Sequence, residues 1–237
     1  MRFPGFLVIA HRGASGSEIE NTLPAFRRAV REGADFAETD LRLTADGEVV
    51  LFHDDDLRRL ARRPGAVEGQ ALRALPPLIR RGGSGRGRIP MLGEAFDACP
   101  ALRFFLELKT TRGNGEALVA ATLSAVDTAR ASTRVAFLGF DPGALERVRR
   151  ALPSAVLGRN LEGPLPRRLE AWCARLRPRF LGLSADRATA SRIRHLTTPR
   201  RGVLVFTVND PGEALRLRRA GAAGVFTDWP GRLLRSL

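Results

Sequence analysis

The sequence predicts an α/β fold of the (β/α)8 TIM-barrel kind, with a small hairpin and an insertion after the second strand. Three observations carry the prediction. Eight short apolar runs of strand length recur along the chain, stretches with helical spacing separate most of them, and each strand-plus-helix repeat takes roughly thirty residues, so that eight repeats fill the chain. A doubly wound open sheet is the competing arrangement, but no Gly-x-Gly-x-x-Gly follows the first strand. Barrels of this type routinely occupy 237 residues as one unit, so residues 1–237 are expected to form a single domain.

The first strand, "FLVIA" (6–10), ends on His11 and Arg12 beside Gly13, which delivers two ionisable groups to the carboxyl end of a barrel strand. Leu23, Phe26, Ala29 and Val30 recur at steps of three and four and predict the first helix. Asn21 and Thr22, just ahead of Pro24, suit its cap. The second strand, "DFAETDLRL" (35–43), runs into "TADGEVVLFHD", which reads as a hairpin because Asp46-Gly47 is a favoured two-residue turn and Val49 to Phe52 is strand-like. The chain therefore doubles back and brings His53 near the top of the barrel. Residues 54–90 read as an irregular insertion rich in Arg, Gly and Pro, whose Gly-rich part at 82–87 is expected to be mobile.

Six more strands follow: "RFFLELK" (103–109), "RVAFLGF" (134–140), "AVLGRN" (155–160), "RFLGLSA" (179–185), "GVLVFTVND" (202–210) and "GVFTD" (224–228). Helical spacing appears between them at Leu118, Ala121, Thr122 and Ala125, at Leu145, Val148 and Leu152, and more loosely at Leu215, Leu217 and Ala220.

Composition narrows the function. The apolar runs are too short to span a bilayer, and the N-terminal one ends at His11 without a cleavage-site pattern, so a cytoplasmic protein is expected. Cys99 and Cys173 are too few for a disulfide framework or a metal knuckle and are expected to fill core space. The formal charge of +14 comes almost wholly from scattered Arg. With no Tyr and no basic run alternating with aromatics, the stacking platform of a single-strand nucleic-acid binder is missing, and no nucleic-acid partner is expected. Such a surface would still attract phosphate esters and acidic lipid surfaces. Against this background Lys109 is the one Lys in the chain, which suggests that a compact ammonium is wanted there and that a planar guanidinium would not fit.

Residues two apart in a strand share a face, so Glu38 and Asp40 point the same way, as do Glu107 and Lys109. Neighbouring strands would bring the two pairs together at the carboxyl end of the barrel. Three carboxylates converging in an interior need a cation, and an all-oxygen set calls for a hard one, Mg²⁺, Ca²⁺ or Mn²⁺. The plainer alternative is a structural network with Arg12, Arg42 and Lys109. His11 and His53 end strands beside this cluster and suit acid/base work, whereas His195 reads as an ordinary core or surface group.

"HRG" (11–13), "ENT" (20–22), "GADFAETDLRLTADGEVVLFHD" (33–54), "IPMLGEAF" (89–96), "FLELK" (105–109), "FTVND" (206–210) and "GVFTDWP" (224–230) resemble, in order and over nearly the whole chain, the motif series of the glycerophosphodiester phosphodiesterase family. The resemblance implies a metal-dependent barrel enzyme that splits glycerophosphodiesters into glycerol 3-phosphate and an alcohol. It implies that Glu38, Asp40 and Glu107 hold the divalent ion, that His11 and His53 are the acid/base pair, that Arg12 and Lys109 meet the phosphate, and that Glu20 lines the site near the ion. It further implies attack by the glycerol's adjacent hydroxyl, giving a cyclic phosphate that water opens. Gly139, Phe206 and Ala223 depart from the family pattern, and the first two bear on substrate recognition, with Phe206 expected to line the site. A lysophospholipase D-like or sphingomyelinase D-like diesterase on the same barrel is the alternative. A non-catalytic anion- or nucleic-acid-binding protein is a remote one, because it leaves the paired histidines and strand-end acids unexplained.

Overall fold

The computed structural model describes residue 3 and residues 5–79 and 86–237. In chain order the strands and helices are β1 (Leu7–Ala10), α1 (Leu23–Arg31), β2 (Phe36–Leu43), β3 (Val49–Leu51), α2 (Arg58–Ala61), β4 (Leu78–Ile79), β5 (Arg86–Gly87), α3 (Leu92–Ala98), β6 (Arg103–Leu108), α4 (Gly115–Thr128) and β7 (Val135–Gly139). They continue with α5 (Pro142–Ala151), β8 (Val156–Leu161), α6 (Leu169–Leu176), β9 (Phe180–Ser184), α7 (Ala190–Leu196), β10 (Gly202–Phe206), α8 (Pro211–Arg219), β11 (Gly224–Thr227) and α9 (Pro230–Leu234). Strands β1, β2, β6, β7, β8, β9, β10 and β11 pair in parallel in that order, and β1 closes the ring by pairing with both β2 and β11. This is the expected closed barrel with its helices outside.

Strand alternation sorts each strand into two faces. The barrel-facing set at the amino end is aromatic and aliphatic: Leu7, Ile9, Phe36, Phe105, Phe180, Leu204 and Phe226 form one buried cluster. Phe105 meets Phe36, Phe180 and Phe226 with ring centroids 5.7 to 5.9 Å apart, so these rings plug the barrel's interior. Truncating such a ring to Ala costs about 3–5 kcal/mol. The outward faces pack on the helices through a second, larger core that includes Phe26, Phe96, Phe104 and Phe137. One step further along β2 and β6 the inward positions turn polar, at Glu38, Asp40 and Glu107, and the plugged interior becomes the floor of a site.

The helices are begun by local chemistry. Thr22 Oγ1 accepts from Ala25 N and Pro24 sits in the first turn of α1; Asp141 and Asp210 cap α5 and α8, each followed by Pro. Gly13 has a positive φ of 81°, and a Cβ there would stand 2.7 Å from Ala25, so only glycine lets the loop after β1 lie against α1.

Three details differ from the sequence reading. The hairpin forms, with β3 antiparallel to β2, but its connection is the three residues 45–47, because Thr44 N donates to Glu48 O across it, next to the Leu43–Val49 pair. Asp46 and Gly47 therefore sit inside a side-chain-braced loop, not at a two-residue tip. The insertion is less irregular than expected. Its short helix α2, two single turns at Val67–Gly69 and Leu72–Ala74, and the β4–β5 pair gather Leu57, Leu60, Val67, Leu78 and Ile89 onto Val50 and Phe52 in a satellite core. Of the stretch expected to be mobile, residues 82–85 lie outside the described residues, and Arg86–Gly87 pairs with Leu78–Ile79. Cys99 and Cys173 are buried free thiols, and His195 is exposed on α7. Among the described residues no helix is long and apolar enough to cross a membrane.

Candidate active site

The carboxyl ends of β1, β2 and β6 place five charged groups around one cavity of about 140 Å³, lined also by His53, Asn160, Leu138, Phe140, Phe206 and Phe226. Size alone does not mark the site. A wider surface cleft of about 400 Å³ beside α3 and α4 carries only Glu48 and Asp97 as ionisable groups.

Register explains the convergence: Asp40 lies directly across from Glu107 on the paired β2 and β6. One oxygen from each of Glu38, Asp40 and Glu107 lies within 4.8 Å of the others, and all three residues are buried. Burial, and the charges of Asp40 and Glu107, push the Glu38 carboxyl well above the ordinary range. Burial works against Asp40 as well, but Arg12 and Lys109 outweigh it and hold its carboxyl far below that range. Arg12 Nε stands 3.1 Å from Asp40 Oδ2, and Lys109 Nζ stands 3.2 Å from Asp40 Oδ1 and 2.5 Å from Glu107 Oε1. Ligation of a metal would ionise Glu38 as well, and three buried carboxylates against the two fixed cations Arg12 and Lys109 would then leave one negative charge over. An all-oxygen set with that surplus fits a hard divalent ion, which would turn the site positive and receptive to an anion.

Both pocket histidines are oriented through Nδ1. His11 Nδ1 lies 2.8 Å from Asp228 Oδ1, and His53 Nδ1 lies 2.8 Å from Asp54 Oδ1. A carboxylate only accepts, so each ring carries its proton on Nδ1 and keeps Nε2 for the pocket. Desolvation, with Arg12 and Lys109 nearby, lowers the pKa of His53 against the pull of Asp40. His53 is positioned by the hairpin. Phe52 N donates to Asp40 O, and Arg42, buried behind the site, donates to His53 O and to Asp55 and Glu68. Arg42 thus holds the start of the insertion and takes no part in balancing the acids.

Glu20 is not among the residues lining the cavity. It stands behind Arg12, accepting from Arg12 Nη1 at 2.7 Å and from both terminal nitrogens of Arg59, which also grips Asp54. A chain of alternating charge therefore runs Asp40, Arg12, Glu20, Arg59, Asp54, His53. Asn21 is not a helix cap. Its buried side chain donates to Asp40 Oδ2 at 2.8 Å and accepts from Thr39 Oγ1 at 2.7 Å, and the cap falls to Thr22 alone. Phe206 stands at the cavity, edge-on to Phe140 and Phe226. Gly139 stands one residue before Phe140, whereas Ala223 lies at the amino end of β11, far from the acids. Sequence reasoning gave no role to Asp228, Asn209, Ser15, Asp54, Arg59 or Asn160, whose Nδ2 donates to Glu107 Oε2 at 2.9 Å. "FHD" and "TDWP" contained the two histidine partners, but nothing local says what an acid after a strand will meet.

The profile of the Glycerophosphoryl diester phosphodiesterase family matches residues 11–232, nearly the whole chain. The chain belongs to this family. Among solved structures the family fold recurs in an Oleispira antarctica phosphodiesterase in complex with the product sn-glycerol-3-phosphate. It is 27% identical, with a TM-score of 0.88, over 98% of this chain and 96% of that one. A glycerophosphodiester phosphodiesterase of Caldanaerobacter subterraneus is 29% identical over 96% of both chains. A lysophospholipase D of Homo sapiens is 34% identical over 111 residues, 43% of this chain and 35% of that one.

Proposed function

We propose that the protein hydrolyses glycerophosphodiesters to glycerol 3-phosphate and an alcohol, with a divalent ion and a pair of histidines. The observation that carries the reading is the pairing of two carboxylate-oriented imidazoles with a three-carboxylate cluster in one cavity. Family membership and the product complex of the Oleispira relative support it.

Glu38, Asp40 and Glu107 would hold Mg²⁺, Ca²⁺ or Mn²⁺. When bound, the ion supplies positive charge to the non-bridging oxygens of the diester. Arg12 and Lys109 add fixed cations on the same side of the cavity and meet the phosphate as it gains charge. Nε2 of one histidine takes the proton of the attacking glycerol hydroxyl while Nε2 of the other protonates the departing alkoxide. The roles exchange when water opens the cyclic phosphate. Leu138, Phe140, Phe206 and Phe226 form the apolar wall of the cavity, and Phe140 is 37% exposed at its mouth. That open apolar side, with the human lysophospholipase D among the relatives, favours a second reading in which acyl-bearing diesters are accepted as well.

The test is release of glycerol 3-phosphate from glycerophosphocholine and glycerophosphoethanolamine with each ion and with a chelator, beside His11→Ala. Metal-dependent release that the variant loses is the expected result; near-normal turnover by His11→Ala on an unactivated diester would overturn the acid/base assignment. Cleavage of lysophosphatidylcholine with neither small diester turned over would transfer the function to the second reading.

A further inference from the structure

We propose that Asp228, locked in one orientation by Asn209, is a positioning residue that fixes the tautomer of His11 and confines its proton exchange to Nε2. The proposal rests on the acid/base reading of His11 given above. It gives a task to two sequence motifs, "FTVND" and "GVFTDWP", that the metal, the phosphate and the histidines leave unused.

The network is closed. Asp228 Oδ1 meets His11 Nδ1 at 2.8 Å and accepts from Ser15 Oγ at 2.9 Å, while Oδ2 accepts from Asn209 Nδ2 at 2.8 Å. The Asn209 amide cannot turn over, because its Oδ1 already accepts from Asp228 N at 2.9 Å and from Thr227 Oγ1 at 3.0 Å. The backbone that carries the histidine is anchored as well: His11 N donates to Thr227 O at 2.8 Å. Burial favours the neutral acid at Asp228, but the bonds from His11, Asn209 and Ser15 prevail and bring its carboxyl down to about 2. The group facing Nδ1 is therefore an ionised acceptor. It keeps a proton on Nδ1 in both charge states of the ring. When imidazolium gives up a proton to the leaving alkoxide, that proton comes from Nε2, and the emptied Nε2 then takes one from the attacking water.

Asn209 makes the proposal sharp. In Asp228→Asn the atom facing Asn209 Nδ2 must be the carboxamide oxygen, so the NH₂ turns to His11 Nδ1. Nδ1 then has to accept, and the ring proton moves to Nε2, where it blocks both the base and the acid role. The comparable aspartate-to-asparagine change beside a catalytic histidine costs on the order of 10⁴-fold in kcat through the wrong tautomer. Asp228→Asn with Asn209→Asp reverses the polarity of the lock. The new carboxylate at 209 accepts the NH₂ of residue 228, the carboxamide oxygen faces His11, and the proton returns to Nδ1.

The chain has three histidines, so ¹⁵N-histidine spectra in Mg²⁺ buffer, assigned with His53→Gln and His195→Gln, read the His11 tautomer directly. With the ring titrated to its neutral form, the expected result is Nδ1–H in the wild type, Nε2–H in Asp228→Asn, and Nδ1–H again in the double variant. In parallel kcat on glycerophosphocholine falls in Asp228→Asn with KM little changed, and recovers in part in the double variant. Nε2–H in the wild type overturns the proposal without any variant having to fold. So does Nδ1–H retained in Asp228→Asn, an unchanged kcat there, or a double variant still in the Nε2–H form. A wild type that turns over no diester counts against the proposed activity and leaves the tautomer measurement standing.

Discussion

Gly182→Ala tests whether the site is built from β8 and β9 as tightly as the geometry requires. A Cβ at 182 would stand 2.2 Å from Asn160 Oδ1, 3.1 Å from Asn160 Cγ and 3.2 Å from Phe206 Cε1. Asn160 lies across from Gly182 in the β8–β9 register and is 5% exposed, so it must turn aside and release Glu107 Oε2. Losing a buried hydrogen bond to a charged group costs about 1.5–3 kcal/mol, and crowding a packed interior adds about 1–3 kcal/mol. For a chain of this length the sum lowers Tm by roughly 10 °C. The assay is thermal unfolding of Gly182→Ala, Asn160→Ala and the double variant as a thermodynamic cycle. With Asn160 shortened, the new methyl meets only the edge of Phe206, so Gly182→Ala should then cost less than about 1 kcal/mol. Additivity within about 0.5 kcal/mol would refute the steric argument. Mg²⁺ affinity gives a second readout, since loosening a partner of Glu107 should weaken binding about 10- to 100-fold.

Other consequences follow from the charge arrangement. Glu38→Gln removes a carboxyl disfavoured by burial and two like charges, so the chelated variant should melt above chelated wild type. Mg²⁺ at about 100 times its Kd should stabilise wild type by about 2.7 kcal/mol and the variant much less; equal Mg²⁺-induced shifts would remove Glu38 from the ligand set. The Asp228 carboxyl sits at about 2 in the folded chain, below its unfolded value of 3.8, so its contribution is present above about pH 4 and lost as pH falls towards 2. Urea unfolding across that window should show wild type losing about 2 kcal/mol more than Asp228→Asn, and parallel curves would contradict it. Lys109→Arg puts a wider, planar cation where Nζ now reaches Glu107 and Asp40 together. A fall in kcat/KM of about 10²-fold is expected, and an unchanged value would show that any cation serves there.

Much of the barrel was readable because its signals are local. All eight barrel strands were legible as short apolar runs, and the alternation of Glu38 with Asp40 needed no knowledge of the partner strand. Helices α3, α6 and α7 span only seven or eight residues, too few turns for a period to stand out. What sequence could not supply was pairing at a distance. Asn21 looks like a cap beside Thr22, but the positive φ of 55° at Asn21 turns its amide inward onto Asp40. Glu20 reads as a residue near the ion, and only the fold shows that it accepts from two arginines, Arg12 beside the cavity and Arg59 from the insertion. Asn160 closes a run of strand residues, and only the neighbouring strand reveals that it faces Glu107.

The seam between β1 and β11 has a consequence in time. His11 and its aspartate are 217 positions apart, and the aspartate directly follows the strand that closes the ring. A chain interrupted on the ribosome before residue 224 would already hold every carboxylate of the cluster, Arg12, Lys109 and the His53–Asp54 pair, yet the His11 imidazole would have nothing to orient it. Until that last strand pairs with β1 the ring has an open seam, so closing the barrel and seating the His11 ring are one event.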